Sequence, residues 1–573
     1  MTTFFAAQKF LSTLKRVNRP LEKALAVALA AFTIALRCPL LRVDAQSTVA
    51  SGERHDQITG EVRSCGRYPG NDAAAKVAAC IAALPSSGGV ADARNMRGPQ
   101  TWSSNPFPKV MGPVTVLLGE ATFTFSVTPL VPSNVQIIGQ GMGKTILQEA
   151  ANANLKPDAI ATVLRATNVM IRDLTIDLNA ANNTGLGQNR GLDLNEAVDS
   201  EIQNVEVRNF YGLEDATGIA LTLNSTTNVK VRGCYVHDVG LAGSSHLSDG
   251  IYTSGVRNQM VSNVVEAWTD TGIVVENSVD GFVAGNVLYG KDVGMVGIGV
   301  SAFIRRATVV GNEISSTKLD GIGVTRLAPL PPTVTTQTIT VAGNTIHDMS
   351  VGKGIHTYQA DDVTILGNIL TKISTNYQDT GIYVEDGHGV SVFGNSITGG
   401  GGYGIAATGT TNLYLLGNIV TNNSQRGASN GIQLGVSNTR FTIAEAPAGA
   451  SRTNNIVTIK TTGSNPLMYE AGDWVSIAGV ADQSLNGTFQ VLSEPVPSPN
   501  TLSFSQSGAN ATSGNGTVRR IPLNTHVTAN TSSGDLQRCA IFTDGTAQET
   551  FLLANDFEFN GVDPATCMKT QGD

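Results

Sequence analysis

Charged and aromatic residues are both scarce in this chain. Of its 573 residues, only 15% are Asp, Glu, Lys or Arg and 6% are Phe, Trp or Tyr. Long amphipathic helices need a charged face, so this composition suits short strands joined by tight turns better than a helical protein. Cations are the scarcer sign, 38 Lys and Arg against 46 Asp and Glu. Seven of those cations and two of the acids lie in residues 1–45, so the chain without them carries a formal charge of about −13. Such a surface repels nucleic acid and anionic membranes at long range, so no nucleic-acid partner is expected. It also repels polyuronates unless a cationic pocket or a bound Ca²⁺ intervenes. Long apolar runs are missing too: Ala24–Leu36 is 13 residues, too short to span a bilayer comfortably. With Lys9, Lys15, Arg16, Arg19 and Lys23 before it and Val43-Asp44-Ala45 after it, it reads as an export signal cleaved before Gln46. The mature protein is then secreted or periplasmic, with no membrane span. Cysteines are few, and their spacing suggests no metal site. Cys65 with Cys80, and Cys539 with Cys567, can each close a disulfide in an oxidising compartment.

Glycine is abundant, at 62 residues, and it is ordered. Gly-Ile pairs begin at Gly218, Gly250, Gly272, Gly297, Gly321, Gly354, Gly381, Gly404 and Gly431, at spacings of 22 to 33 residues. Gly-Asn pairs at Asn286, Asn312, Asn344, Asn368, Asn395 and Asn418 run in phase, each Asn 9 to 13 residues before the next Gly-Ile pair. Two in-phase markers at one variable period predict a solenoid in which each repeat is one coil of strand, turn, strand, turn. Stacked Asn side chains would fix its register. Cys234 stands where other coils place Asn and is expected to be a buried member of that ladder.

Five segments follow from the pattern. Residues 1–45 are the signal and 46–70 a loose leader. Residues 71–436 form the solenoid, with an N-terminal capping helix over Ala73–Leu84 capped by Asn71 or Asp72. Residues 437–520 break the repeat, alternate apolar and polar residues, and read as a small inserted antiparallel β-module. Residues 521–573 return to a final coil and its C-terminal cap. Gly139 to Leu147 is not a phosphate loop. Ile138 fills the slot of its first glycine, and the stretch after Thr145 reads as strand.

Three pieces carry a family likeness: Asp72-Ala-Ala-Ala-Lys76 before Gly88-Gly89-Val90, Leu117-Leu118-Gly119 leading into Thr122-Phe123, and Ile138-Gly139 through Gly143-Lys144-Thr145. Together with the coils, the chain resembles the pectate lyase superfamily of right-handed parallel β-helix proteins over roughly residues 71–436. The resemblance implies an all-β right-handed parallel β-helix. That fold hosts lyases, hydrolases, epimerases and tailspike-like binders, so it implies no single chemistry. The chain has neither the Asp-Pro-His signature of alginate epimerases nor the Arg-rich one of pectate lyases.

If each Ile points inward, strand alternation turns the residues one and three after it outward, and just before the Gly stand further charged residues. The outward strip then holds Asp249, Asp270, Asp320, Lys353, His356 and Asp379 as candidate catalytic groups. Tyr252, Glu276, Tyr358, Tyr383 and Glu385 are candidate substrate contacts. The insertions holding His246 and Arg326 would wall the groove. Carboxylates for proton transfer, aromatics for sugar faces and a cation for acidic groups make a mixture that suits a polysaccharide. A hydrolase would use two of the Asp residues. A lyase would use Lys353 or His356 as base, with Ca²⁺ on the carboxylates. The rival reading is a non-catalytic surface or tailspike-like carbohydrate binder. Monomer and trimer both remain open. Asp361-Asp362 and Gly387-His388-Gly389 fill turn slots and are set aside on register, as are His237 and His347.

Overall fold

In a computed structural model, residues 60–556 are described apart from 108–111, 185–189, 211–215, 223–224, 241–246, 327–336, 375–378, 425–428, 463–468, 499 and 535–536. The expected signal segment, His246 and Cys567 lie outside these residues. No helix among the described residues is long and apolar enough to cross a membrane.

One hydrogen-bonded system of 40 strands winds from Glu61–Ser64 to Gln548–Leu553, and all its pairings are parallel. Most coils have three short strands, not two. In one coil these are Asp320–Thr325, Gln337–Ala342 and Thr345–Met349, which pair with Lys353–Tyr358, Asp361–Leu366 and Ile369–Ile373 of the next. The extra strand arises at the Gly-Asn pair, whose Gly takes a left-handed φ between 58° and 65° in every coil from Gly285 to Gly417 and bends the chain sharply. The Asn that follows turns inward. Asn344 donates from its backbone N–H and from Nδ2 to Asn368 Oδ1, both at 2.9 Å, and Nδ2 also donates to Val309 O at 3.1 Å. The same bonding runs from Asn263 through Asn418 to Asn530 and Asn555. Cys234 heads this ladder. It is 1% exposed, its N–H donates to Asn263 Oδ1, and burial pushes its thiol up to about 12.

The Gly-Ile pairs build the first strand of each coil. All nine Ile side chains are fully buried, in one core that extends from Cys65 to Ile541. Each glycine sits where coils approach most closely. A Cβ on Gly321 would stand 2.6 Å from Gly354 O and 2.7 Å from Ile346 Cγ2.

Helix α1 (Ala73–Ala82) caps the open end and buries Ala74, Val77, Cys80 and Ile81 against it. Asp72 is the cap, accepting from the Ala75 N–H at 2.8 Å. The leader is not wholly loose, because Glu61–Ser64 pairs with Gly89–Ala93 and Cys65 bonds to Cys80. Cys539 is also disulfide-bonded. Two antiparallel four-stranded sheets between Phe441 and Ile521 enclose a separate core around Val457, Val475 and Phe504. The solenoid resumes with Leu523–Thr528 stacked on Thr411–Leu416.

Two substitutions test the ladder. Asn368→Ala strands both donors of Asn344 and should cost about 2–3 kcal/mol in denaturant unfolding. Cys234 Sγ points at Ile202 O, the carbonyl that an Asn amide would reach. Cys234→Asn should therefore extend the ladder by one rung and leave the unfolding midpoint unchanged or raised.

Candidate functional site

The first strands of successive coils stack in strict register and set three outward columns. Before the Gly stand Arg190, Thr217, Asp249, Thr271, Val296, Asp320, Lys353 and Thr380. After the Ile stand Asp193, Ala220, Tyr252, Val274, Gly299, Gly323, His356 and Tyr383. Two residues further on stand Ser254, Glu276, Ser301, Thr325, Tyr358 and Glu385.

Small residues in the middle column open a groove of about 740 Å³, lined by Arg190, Asp249, Tyr252, Asp270, Glu276 and Asp320 among others. Val274, Gly299 and Gly323 lie along it, and the lining continues past Tyr252 to Thr217, Thr222 and Arg190. The Tyr252 hydroxyl donates to Glu276 Oε2 at 2.9 Å, and burial together with the Glu276 charge pushes that hydroxyl up. Beyond Tyr252, Arg190 reaches Asp158 Oδ1 at 3.4 Å and Asp193 Oδ2 at 3.0 Å. Asp193 also accepts from Thr222. Burial, reinforced by Asp158, pushes the Asp193 carboxyl up to about 7. This cluster escaped the sequence reading because its coil carries Gly191-Leu192, with Leu standing in for Ile.

At the other end, His356 Nδ1 lies 3.2 Å from Asp320 Oδ2, and Nε2 lies 3.6 Å from Glu385 Oε2. Its ring stacks on Tyr383 at 5.3 Å. Burial alone would lower the His356 pKa, but Asp320 and Glu385 outweigh it and hold the ring toward its charged form. Lys353 Nζ stands 4.0 Å from Asp320 Oδ1 and over the Tyr383 ring. Asp379 departs from the expectation. It falls one residue before the column, accepts a hydrogen bond from Ser374 Oγ at 2.5 Å, and leaves Thr380 to line the smaller neighbouring pocket of about 220 Å³. Asp270 is offset by one residue in the same way but still lines the groove.

The inserted module leans on this end of the strip. Asn438 Nδ2 donates to the Tyr383 hydroxyl at 2.8 Å, and Thr439 Oγ1 donates to Glu385 Oε1 at 3.2 Å. Behind them lies a buried polar network that the sequence reading set aside. His388 and Asp361 occupy adjacent coils, and stacking brings His388 Nδ1 to 3.2 Å from Asp361 Oδ1. His388 Nε2 meets Asp473 Oδ1 at 3.1 Å, and Asp473 Oδ2 meets Arg520 at 3.0 Å. Burial and Arg520 both press the His388 pKa down, but Asp361 and Asp473 overcome them and push it up to about 9. Burial works against ionisation of Asp473, yet Arg520 and His388 hold it down to about 2. Asp386, roofed by Ser437, is pushed up to about 7 by burial despite Arg520. Arg326, expected to wall the groove, instead shares the field of Asp361, Arg520 and Glu470 at this junction, where burial lowers its pKa. His237 and His347 are strand residues, each held between two carboxylates.

Among the described residues, the group of three close ligand atoms able to hold a metal is Asp361, His388 and Glu470 at the same junction, and no such group occurs in the strip. That set is one imidazole and two carboxylates, with no sulfur, a nitrogen-and-oxygen set for a divalent ion, and its His388 already meets Asp361 and Asp473 through its two ring nitrogens.

Residues 217–377 match the family described as right handed beta helix region, and residues 332–445 match the family described as periplasmic copper-binding protein (NosD). The all-parallel coil with its N-terminal helix is the pectate lyase-like right-handed β-helix. No curated protein sequence matches the chain. The mannuronan C-5 epimerase AlgE6 A-module of Azotobacter vinelandii is similar in structure, with 16% identity, 87% of this chain and 94% of that one covered, and a TM-score of 0.41. DFA-IIIase of Arthrobacter chlorophenolicus A6 gives 13%, 65%, 93% and 0.41 in the same order. The pre-mature gene product 12 of bacteriophage phi29 gives 12%, 56%, 51% and 0.41.

The junction network makes docking of the module pH-dependent. Asp473, depressed to about 2, contributes stability above its ordinary pKa that is lost as pH falls toward 2. His388, raised to about 9, contributes stability below its ordinary pKa that is lost as pH rises through 9. Asp386, raised to about 7 by burial, disfavours the docked state increasingly as pH climbs from the ordinary carboxylate value to 7, and by a constant amount above that. Protease resistance of residues 437–520 should therefore be greatest near about pH 4–5. It should fall toward pH 9, and His388→Gln should flatten the alkaline limb.

Proposed function

We propose that the chain is an exported carbohydrate-active enzyme that binds a polysaccharide across the first-strand sheet and hydrolyses a glycosidic bond in the groove. The observation that carries this reading is the groove itself: a glycine-floored trough bearing four carboxylates and a tyrosine on rigid stacked strands. Hydrolysis is preferred to β-elimination because the expected lyase bases are already committed. His356 is clamped between Asp320 and Glu385 and held toward its charged form, which makes it a poor base at neutral pH. The same clamp suits an orienting role. Glu385 and His356 fix Asp320 while its Oδ1 keeps no protein donor. Asp320 and Asp270 are assigned as acid and base. They lie two coils apart, or about 9–10 Å at the strand spacing, near the separation of an inverting pair. The apolar run with its flanking cations and the Cys65–Cys80 disulfide support export.

A second reading, a non-catalytic carbohydrate binder, is favoured by the satisfied state of much of the strip. Glu276 is held by Tyr252 and Ser301, and Tyr383 by Asn438 and Thr408.

A panel of polysaccharides with the mature protein, with and without Ca²⁺, separates these readings. Hydrolysis gives new reducing ends without the ultraviolet absorbance of unsaturated uronates. Asp320→Asn and Asp270→Asn should each lower kcat by about 10²–10⁴-fold with unchanged unfolding. Absorbance that depends on Lys353 or His356 would mean a lyase. Binding without turnover on every substrate would favour the binder.

A further inference from the structure

We infer that a second sugar-binding pocket lies further along the strip, against the inserted module, and takes a neutral hexose ring of the same polysaccharide; this rests on the carbohydrate reading above. The pocket is the one of about 220 Å³, lined by Thr380, Tyr383, Tyr403, Ala406, Gln433 and Asn438 among others. It repeats the plan of the groove. In the column that follows each Ile, Tyr383, Ala406, Gln433 and Phe542 stack in register. Ala406 is the small member here, as Gly299 and Gly323 are in the groove. The Tyr383 ring lies parallel to that of His356, with 7° between their planes. Its opposite face is therefore turned toward the coil of Ala406, where only a methyl group follows. Tyr403, half-buried beside that gap, stacks on no other ring among the described residues. Sugar rings bind against such aromatic surfaces, and a space smaller than a drug-sized site suits one ring.

The polar groups around the gap decide the kind of sugar. Gln433 Oε1 accepts from Asn430 Nδ2 at 2.6 Å, which leaves the Gln433 Nε2 donors without a partner among the described residues. Asn438, which is exposed, donates from Nδ2 to the Tyr383 hydroxyl at 2.8 Å and keeps its Oδ1 for an incoming group. The Tyr403 hydroxyl has no hydrogen bond among the described residues, and neither it nor Gln433 Nε2 is enclosed by protein. Donors and an acceptor thus converge on one space, which suits hydroxyls, since each both donates and accepts. The two charges at the rim are already answered within the chain. Asp544 Oδ2 accepts from the Val436 N–H at 2.7 Å and its Oδ1 from the Thr546 N–H at 2.9 Å, while Lys353 Nζ stands 4.0 Å from Asp320 Oδ1. A uronate would bring acceptors only, against Asn438 Oδ1 and Asp544. Gly323 and Ala406 lie three coils apart, about 14 Å at the strand spacing, so the pocket holds a unit of the chain remote from Asp270 and Asp320.

Calorimetry on the mature protein tests this with oligosaccharides of glucose, mannose and galactose long enough to span both pockets, and with galacturonate oligomers. At least one neutral oligomer should bind more tightly than the galacturonate oligomer. Tyr403→Ala should weaken that binding about tenfold or more, and Gln433→Ala about three- to tenfold. Ala406→Phe should abolish it by filling the gap. Each variant is accepted only with an unchanged unfolding midpoint, and the two alanine variants carry the test if Ala406→Phe fails to fold. Binding of a neutral oligomer that all folded variants leave unchanged overturns the second pocket and leaves the carbohydrate reading standing. Tighter binding of the galacturonate oligomer overturns the neutral assignment. No binding by any probe also overturns this inference, and turnover in the polysaccharide panel then decides by itself whether the carbohydrate reading survives.

Discussion

The buried amide-to-amide hydrogen bond between successive coils is the constraint on which everything else rests. Each ladder Asn presents one oxygen to two donors from the coil before it and sends its own Nδ2 back to a carbonyl of that coil. Such a bond tolerates neither a slip along the strand nor a change in coil spacing without burying an unpaired polar group. The outward columns inherit this precision. Asp320, Lys353 and Thr380 stand over one another because Asn312, Asn344 and Asn368 do so on the far side of the core. A groove made of residues far apart in sequence is thereby held as firmly as one on a single rigid element.

Two kinds of glycine divide the labour along the coils. Those of the Gly-Ile pairs are demanded by packing, since any side chain there would strike the next coil. Gly323 faces outward where a side chain would fit, and Gly299 where Thr271 would have to give by a few tenths of an ångström; both line the groove. The groove is deepest where this column is small, between Tyr252 and His356, and its lining continues past Tyr252 to Arg190.

The coils were legible because the Gly-Ile and Gly-Asn pairs are local, and a local pattern repeated many times needs no tertiary knowledge. The outward columns followed from strand alternation, which is why Tyr252, His356 and Glu385 emerged from counting alone. What counting missed depends on contact across coils. Asp361 and His388 lie 27 residues apart and meet only because adjacent coils stack one above the other. Asp473 and Arg520 reach them from a module with no repeat of its own. Asp270 and Asp379 were read into the column although each sits a residue early, just before its strand: Asp379 is bonded by Ser374, while Asp270 still lines the groove. Arg190 and Asp193 were passed over because Leu replaced Ile at the marker.

The ladder also bears on how the chain reaches this state. Most rungs join residues 23 to 32 apart, but the rung from Asn418 to Asn530 spans 112. Closing that longer loop as free chain costs about 1 kcal/mol more than closing a typical rung. The extra cost vanishes once residues 441–521 have gathered around their own core, because the folded module brings its two ends together. The last coils then have a cheaper route after the module has formed than before it. A module that has not folded would leave the edge at Thr411–Leu416 without the strand that covers it, open to pairing with other chains.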